Sequence, residues 1–356
     1  MIVYGVVLGI TFIIYIWLRH GLHLDKSRVD RITISFFFIS YLLLLCLRDV
    51  SVGVDTKTYV WRFQQLQMMD WRSALSYTGK GDEFAFILLN KIIGSIGGSR
   101  LLIIVSAFLI VIPIMHLYRE EAEGAVFTIS FFLISLLFGM FFSGMRQSIA
   151  IALEVPAYYF TKKRKIVPFL LMVMLAFLFH RTGIVIAAIY PIYHAKITRK
   201  WLWFVVPIMA IVYVYRNVIF EYLFVLAGDG YVRGYSYLTG TSAQGALMAL
   251  FLLLSVYSYV VLDEEQAGEE EIGLRNILLL AACIHLFTPV NSIVARINMY
   301  YILFIPVAIT RINNRCKENY FQITRIASFI MSAYFIIHFL TSTGSSTQFE
   351  NYMLFF

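Results

Sequence analysis

Charge is what this chain of 356 residues has least of. Asp, Glu, Lys and Arg make up 14% of it, where a soluble globular domain carries about 25%. That shortfall, with 60% hydrophobic residues, excludes an ordinary soluble fold. Cysteine is also scarce. Cys46, Cys283 and Cys316 are the only three, and no CxxC pair exists, so neither a disulfide framework nor a metal cage is indicated. No P-loop or dinucleotide fingerprint occurs, which argues against a nucleotide substrate. A basic start and a small-residue cleavage site are missing at the N-terminus, so the first apolar run is expected to be retained as a span.

What the chain has in abundance is long apolar runs. They are continuous rather than alternating, which points to helices and away from a β-barrel. Runs near 2–18, 32–47, 101–118, 125–142, 147–160, 166–180, 183–195, 201–220, 244–262, 275–289, 297–310 and 326–341 predict about twelve crossings of a bilayer. The run 84–97 is short for a span and is expected to be re-entrant or interfacial. The fold class predicted is therefore an all-α polytopic membrane protein, 1–356 forming a single integral membrane domain. Most of the 29 Lys and Arg fall in alternate short loops, among them Thr161–Lys165 and Arg311–Arg325. The positive-inside rule puts those loops in the cytoplasm and both termini outside. The net charge of +8 thus sets orientation and does not indicate nucleic-acid binding. The outer loops are then 48–83 and 221–243, and the Ser/Thr-rich stretch Thr341–Gln348 is expected to be a flexible outer end.

Several arginines fall at the outer ends of runs, on the side that orientation disfavours: Arg48, Arg146, Arg181 and Arg296, with Arg233 in the second outer loop. Snorkelling to the headgroups accounts for any one of them; a shared anion accounts for the group. Guanidinium grips phosphate with two parallel hydrogen bonds and keeps its charge when partly buried. Groups able to exchange a proton stand on the same side: Asp49, Asp55, Asp82, Glu83 and His180. Asp55 with Thr56 is expected to cap a short helix through Tyr59 to Phe63. Glu154, inside the run 147–160, is a candidate for an internal pair. Outer-loop aromatics such as Tyr59, Trp61, Phe63, Trp71, Tyr77, Tyr222, Tyr231, Tyr235 and Tyr237 suit either an interfacial belt or a surface on which sugars stack.

The sequence Arg48…Gly53-x-Asp55-Thr56-x-x-Tyr59-x-x-x-Phe63 resembles a stretch of the EpsG/Wzy-type polysaccharide polymerases. Glu83 before an apolar run, Arg146-Gln147 with Ile149-Ala150 opening another, and Phe179-His180 closing a third extend the likeness across roughly 40–185. Arg181 departs from the pattern, where a small polar residue is expected. The resemblance implies a GT-C-like bundle in the bacterial inner membrane, with its active site on the periplasmic or outer face. It implies a glycosyltransferase that joins oligosaccharide repeat units carried on undecaprenyl pyrophosphate, which serve as both donor and acceptor. The product would be O-antigen, capsule or exopolysaccharide, with a flippase and a chain-length regulator as partners and no cofactor or metal. Glu83, His180 and Arg146 would be catalytic; Arg48, Arg146, Arg296 and Arg233 would hold pyrophosphate; Asp55, Thr56, Tyr59, Trp61 and Gln147 would contact sugar. A ligase moving finished polymer from the same lipid, or a non-enzymatic exporter of polysaccharide or lipid-linked sugar, are the alternatives.

Overall fold

The computed structural model describes residues 1–78, 83–227, 242–289, 292–341, 349 and 351–354. Among these the chain is helical throughout, and extended pairing is limited to the isolated bridges Arg48–Leu354 and Leu262–Cys316. It divides into two compact units, Met1–Ala187 with Arg325–Phe356, and Ala188–Thr324.

The first unit holds α1 (Ile2–Ile16), α2 (Lys26–Leu47), α3 (Thr56–Met68), α4 (Trp71–Leu75), α5 (Phe84–Ile96), α6 (Ser99–Glu121), α7 (Ala125–Ile134), α8 (Leu136–Ser143), α9 (Met145–Lys162) and α10 (Ile166–Phe179). Helix starts follow local chemistry. Asp25 accepts the Arg28 N–H to open α2, and Asp70 accepts the Ser73 N–H to open α4, each satisfying an amide that the first turn leaves unpaired. The chain breaks at Ser135, whose backbone is extended, and α7 and α8 meet at 60°. Tyr41 on α2 donates its hydroxyl to the Phe138 carbonyl at 2.6 Å just past that break. Around it Phe37, Phe38, Phe132, Phe138 and Phe142 pack edge to face or tilted. Lipid is as apolar as these rings, so what favours them inside is close packing, not escape from water.

The two ends of this unit differ in chemistry. At one end Arg31 pairs with Glu120 at 3.0 Å, Lys162 with Glu121 at 2.9 Å, and Asp30 accepts the Ala125 N–H at 3.0 Å. The opposite ends of the same helices carry Arg48, Arg100, Ser143 and Arg146. Antiparallel packing thus puts the basic loop Thr161–Lys165 and the sequence-predicted site at opposite ends of the bundle.

The second unit holds α11 (Ile189–Tyr193), α12 (Arg199–Ala227), α13 (Ser242–Val261), α14 (Glu269–His285), α15 (Ser292–Ile302) and α16 (Ile305–Asn314); α17 (Phe321–Thr341) returns the chain to the first unit. The acidic loop ahead of α14 and the helix's acidic first turn are matched by base: Arg275 meets Glu264 at 2.6 Å, Arg315 meets Glu271 at 3.0 Å, and Arg311 pairs with Glu270. Arg275 is wholly buried, with its guanidinium 4.1 Å from the Tyr259 ring centre.

Among the described residues six helices are long and apolar enough to cross a membrane, and up to seven if α7 and α8 form one bent span. The other expected crossings fall on shorter or more charged helices. Among these, α10 has 14 residues, and α9 carries Arg146, Glu154 and Lys162. Helix α5, with 13 residues, is ~20 Å long against a hydrocarbon layer of about 30 Å.

Candidate active site

Glu83, Arg146 and His180, separated by up to 97 residues in sequence, meet in the first unit. Each sits at a helix end: Glu83 at the N-cap of α5, Arg146 in the first turn of α9, and His180 just past the last turn of α10. Arg146 Nη1 donates to Glu83 Oε2 at 2.7 Å, and His180 Nδ1 lies 2.9 Å from Glu83 Oε1. An ionised carboxylate only accepts, so Nδ1 is the nitrogen that carries a proton, and in the neutral ring Nε2 is the one with the lone pair. His180 Nε2 makes no hydrogen bond among the described residues. Partial burial pushes the Glu83 carboxyl up, but the His180 hydrogen bond, the charges of Arg146 and His180, and the Arg181 backbone N–H together outweigh it. The carboxyl is therefore held below its ordinary range and stays ionised.

The Arg146 guanidinium is held as well. Its carbon lies 5.7 Å from the Tyr59 ring centre and 6.0 Å from that of Phe86. Tyr59, buried against Phe86, Ile103 and Met145, also hydrogen-bonds Arg146. The departure at Arg181 is explained by this geometry. That position serves Glu83 through its backbone amide, which any residue but proline supplies, while its side chain is exposed. Gly183 lets the chain fold back tightly, since a Cβ there would come within 2.6 Å of the Ala176 backbone.

The Gly-x-Asp-Thr segment docks on the α8–α9 junction. Gly53 has φ +90°, and a Cβ on it would fall 2.0 Å from the Phe142 carbonyl oxygen, so only glycine fits. The Thr56 hydroxyl reaches the Val52 and Phe142 carbonyls at 2.8 and 3.1 Å. Asp55 stands at the N-cap of α3 but makes no side-chain cap bond there, contrary to expectation. Its backbone N–H donates to Ser143 Oγ at 3.3 Å, and Ser143 Oγ in turn donates to its carboxylate at 3.4 Å. The Asp55 carboxylate instead faces Ser143, while the Thr56 hydroxyl ties the loop to the Val52 and Phe142 carbonyls.

The remaining predicted residues are dispersed. Trp61 is exposed on α3, whereas Gln147 is buried inside α9. Arg48 is 2% exposed, with Nη1 donating to the Phe141 carbonyl at 3.2 Å and its guanidinium 5.6 Å from the Phe142 ring centre. Arg296 lies on α15 of the second unit with its side chain exposed there. Arg233, Asp82, Tyr231, Tyr235, Tyr237 and the stretch 342–348 lie outside the described residues. Glu154 is fully buried, and neither carboxylate oxygen has a hydrogen-bond partner among the described residues; the expected internal pair is not there.

Two residues of this end were not anticipated. Lys91 Nζ donates to the Leu66 and Met69 carbonyls at 3.1 and 2.6 Å, so it closes the C-terminus of α3, a favoured place for a cation. Arg100 does the same for α2, donating to the carbonyls of Cys46 and Arg48. The sequence cue for Lys91 is a cation inside the otherwise apolar run 84–97.

These features define a polytopic, all-helical membrane protein whose charged constellation is assembled from the ends of separate helices. The chain belongs to the EpsG family, which it matches over residues 31–354. Membership supports a Wzy-type polymerase or transferase role in polysaccharide biosynthesis. No curated protein and no solved structure gives a significant match. Among the described residues no group of three or more His, Cys, Asp or Glu could hold a metal ion.

Proposed function

We propose that this protein is a metal-independent GT-C-like glycosyltransferase that polymerises oligosaccharide repeat units borne on undecaprenyl pyrophosphate. The reaction takes place at the outer face of the bacterial inner membrane, in a bundle of about twelve crossings that counts the shorter apolar helices. The observation that carries this reading is the Glu83–His180–Arg146 constellation in a chain of the EpsG family.

In the step proposed, a hydroxyl of the acceptor's terminal sugar attacks the anomeric carbon of the donor. A new glycosidic C–O bond forms, the bond from that carbon to the phosphate oxygen breaks, and undecaprenyl pyrophosphate leaves with the electron pair. His180 Nε2 takes the hydroxyl proton. Glu83 fixes the tautomer and steadies the imidazolium, as the carboxylate does in hydrolase triads. Arg146, with Arg48 of the same unit, neutralises the charge that grows on the leaving diphosphate. Asp55, Thr56, Tyr59, Trp61 and Gln147 shape the sugar-binding side, Tyr59 by holding Arg146 in place and Asp55 by receiving acceptor hydroxyls. A flippase and a chain-length regulator are the partners such an enzyme needs on its own face.

The test is replacement of Arg146 by alanine and by lysine, with membrane expression verified, reading polymer length distribution in cells. Loss in both variants supports a two-pronged guanidinium contact; a normal distribution in the alanine variant overturns the assignment.

A further inference from the structure

The last residues of α8 receive the loop between α2 and α3 one contact at a time. The Phe141 carbonyl takes Arg48 Nη1 at 3.2 Å, and the Phe142 carbonyl takes the Thr56 hydroxyl at 3.1 Å. Ser143 Oγ accepts the Asp55 N–H at 3.3 Å and donates to Asp55 Oδ2 at 3.4 Å. Arg146 follows in the first turn of α9. Ser143 is 4% exposed, too deep to meet a substrate itself. Asp55 is half-buried, and its other oxygen, Oδ1, neither accepts a hydrogen bond among the described residues nor is sealed off.

Two carboxylates stand in different relation to Arg146. Glu83 binds its guanidinium directly, at 2.7 Å. Asp55 is linked to it through Tyr59, whose hydroxyl lies in the field of Asp55 and hydrogen-bonds Arg146. An ionised carboxylate repels a diphosphate and only accepts hydrogen bonds, so the open oxygen of Asp55 suits a sugar hydroxyl. We infer that Ser143 is a positioning residue: it aims the Asp55 carboxylate so that Oδ1 receives a hydroxyl of the acceptor sugar. The acceptor then binds on the Asp55–Ser143 side of Tyr59 and the diphosphate on the Arg146 side. This deepens the polymerase reading and rests on it for the identity of the two substrates.

The experiment separates acceptor from donor. The host's repeat unit, prepared as an octyl glycoside, has no diphosphate and can accept but not donate. Transfer onto it from lipid-linked units is followed in nanodiscs as octyl-linked product. The full-length parent, Ser143→Ala, Asp55→Asn and the double variant are compared, with the thermal midpoint of each recorded. Ser143→Ala deletes one oxygen; it is expected to raise KM for the glycoside roughly fivefold and to leave KM for the lipid-linked donor within about twofold. Asp55→Asn should raise the glycoside KM at least as much. On the Asp55→Asn background, Ser143→Ala should add less than about twofold, because the carboxylate it aims is gone. A role confined to holding the Asp55 backbone would persist there at full size. An unchanged glycoside KM in either single variant, equal rises for glycoside and donor, or a full-size Ser143 effect on that background overturns the inference. Binding of the glycoside alone is read by calorimetry, and a parent that does not bind it also overturns the inference. Should the parent bind it without transfer, and Ser143→Ala weaken that binding, the polymerase reading fails and the saccharide site stands.

Discussion

Replacing Glu83 by glutamine probes the centre of the proposed mechanism with almost no change in volume. The carboxylate now serves three donors at once: Arg146 Nη1 at 2.7 Å, His180 Nδ1 at 2.9 Å and the Arg181 amide. An amide has one acceptor oxygen and one NH2 group. Its oxygen must face Arg146, because a donor placed there meets another donor. The NH2 then faces His180 Nδ1, which has to accept, and the ring proton moves to Nε2. The nitrogen assigned to take the acceptor proton is blocked. Losing both the right tautomer and the charge opposite the imidazolium should lower the elongation rate about 10²–10⁴-fold. Stability should fall by about 1–3 kcal/mol, because Arg146 loses a charged partner in a half-buried place. The assay is elongation of lipid-linked repeat units by purified protein in nanodiscs, with thermal unfolding run alongside. A folded Glu83→Gln protein that elongates within about twofold of the parent rate would refute the tautomer argument. Acid gives an independent check. Folding lowers the Glu83 pKa from its ordinary 4.5, so below that value the unfolded chain binds the proton more readily. The stabilisation is then fully present above 4.5 and is lost as pH falls through the depressed folded value. The glutamine variant should lack that acid-dependent loss, and equal acid sensitivity in the two proteins would count against an ionised Glu83.

Two further substitutions test how this end of the bundle is built. Gly53→Ala must either move the Phe142 carbonyl or abandon a φ of +90°, and should cost at least about 2 kcal/mol; a thermal midpoint equal to the parent's would show that the loop does not depend on this approach. Lys91→Met keeps the stem but leaves the Leu66 and Met69 carbonyls without their donor, and should destabilise by about 1–3 kcal/mol. Hydrogen exchange should localise that loss to the last turn of α3; uniform or absent change would rule out the cap.

Much of the site was legible because it breaks the apolar pattern. A lone Glu before a span, an Arg opening one and a His closing another are costly in lipid unless they meet, and Glu83, Arg146 and His180 do meet. The same logic gave less for Tyr59, expected at sugar and found beneath Arg146, and for Asp55, expected as a cap and found facing Ser143. Those outcomes depend on which backbone atoms of the α8–α9 junction come close, and neighbouring residues in sequence carry no sign of it. At Arg181 the contribution to Glu83 comes from the main-chain amide, which does not depend on the side-chain type. Lys91 and Arg100 went unrecognised because their partners are carbonyls, which every residue has.

The sequence by itself determined that the chain is helical and lives in a membrane, since long apolar runs in hydrocarbon must satisfy their own hydrogen bonds. It also determined which end of each helix carries the rare charges. Tertiary packing decided the rest: where α7 breaks from α8, that one carboxylate binds both Arg146 and His180, and that Leu354 comes back to bridge Arg48. Hydrophobic patterning fixes where a helix runs, but contacts between residues as far as 345 positions apart arise only once helix ends are brought together in space.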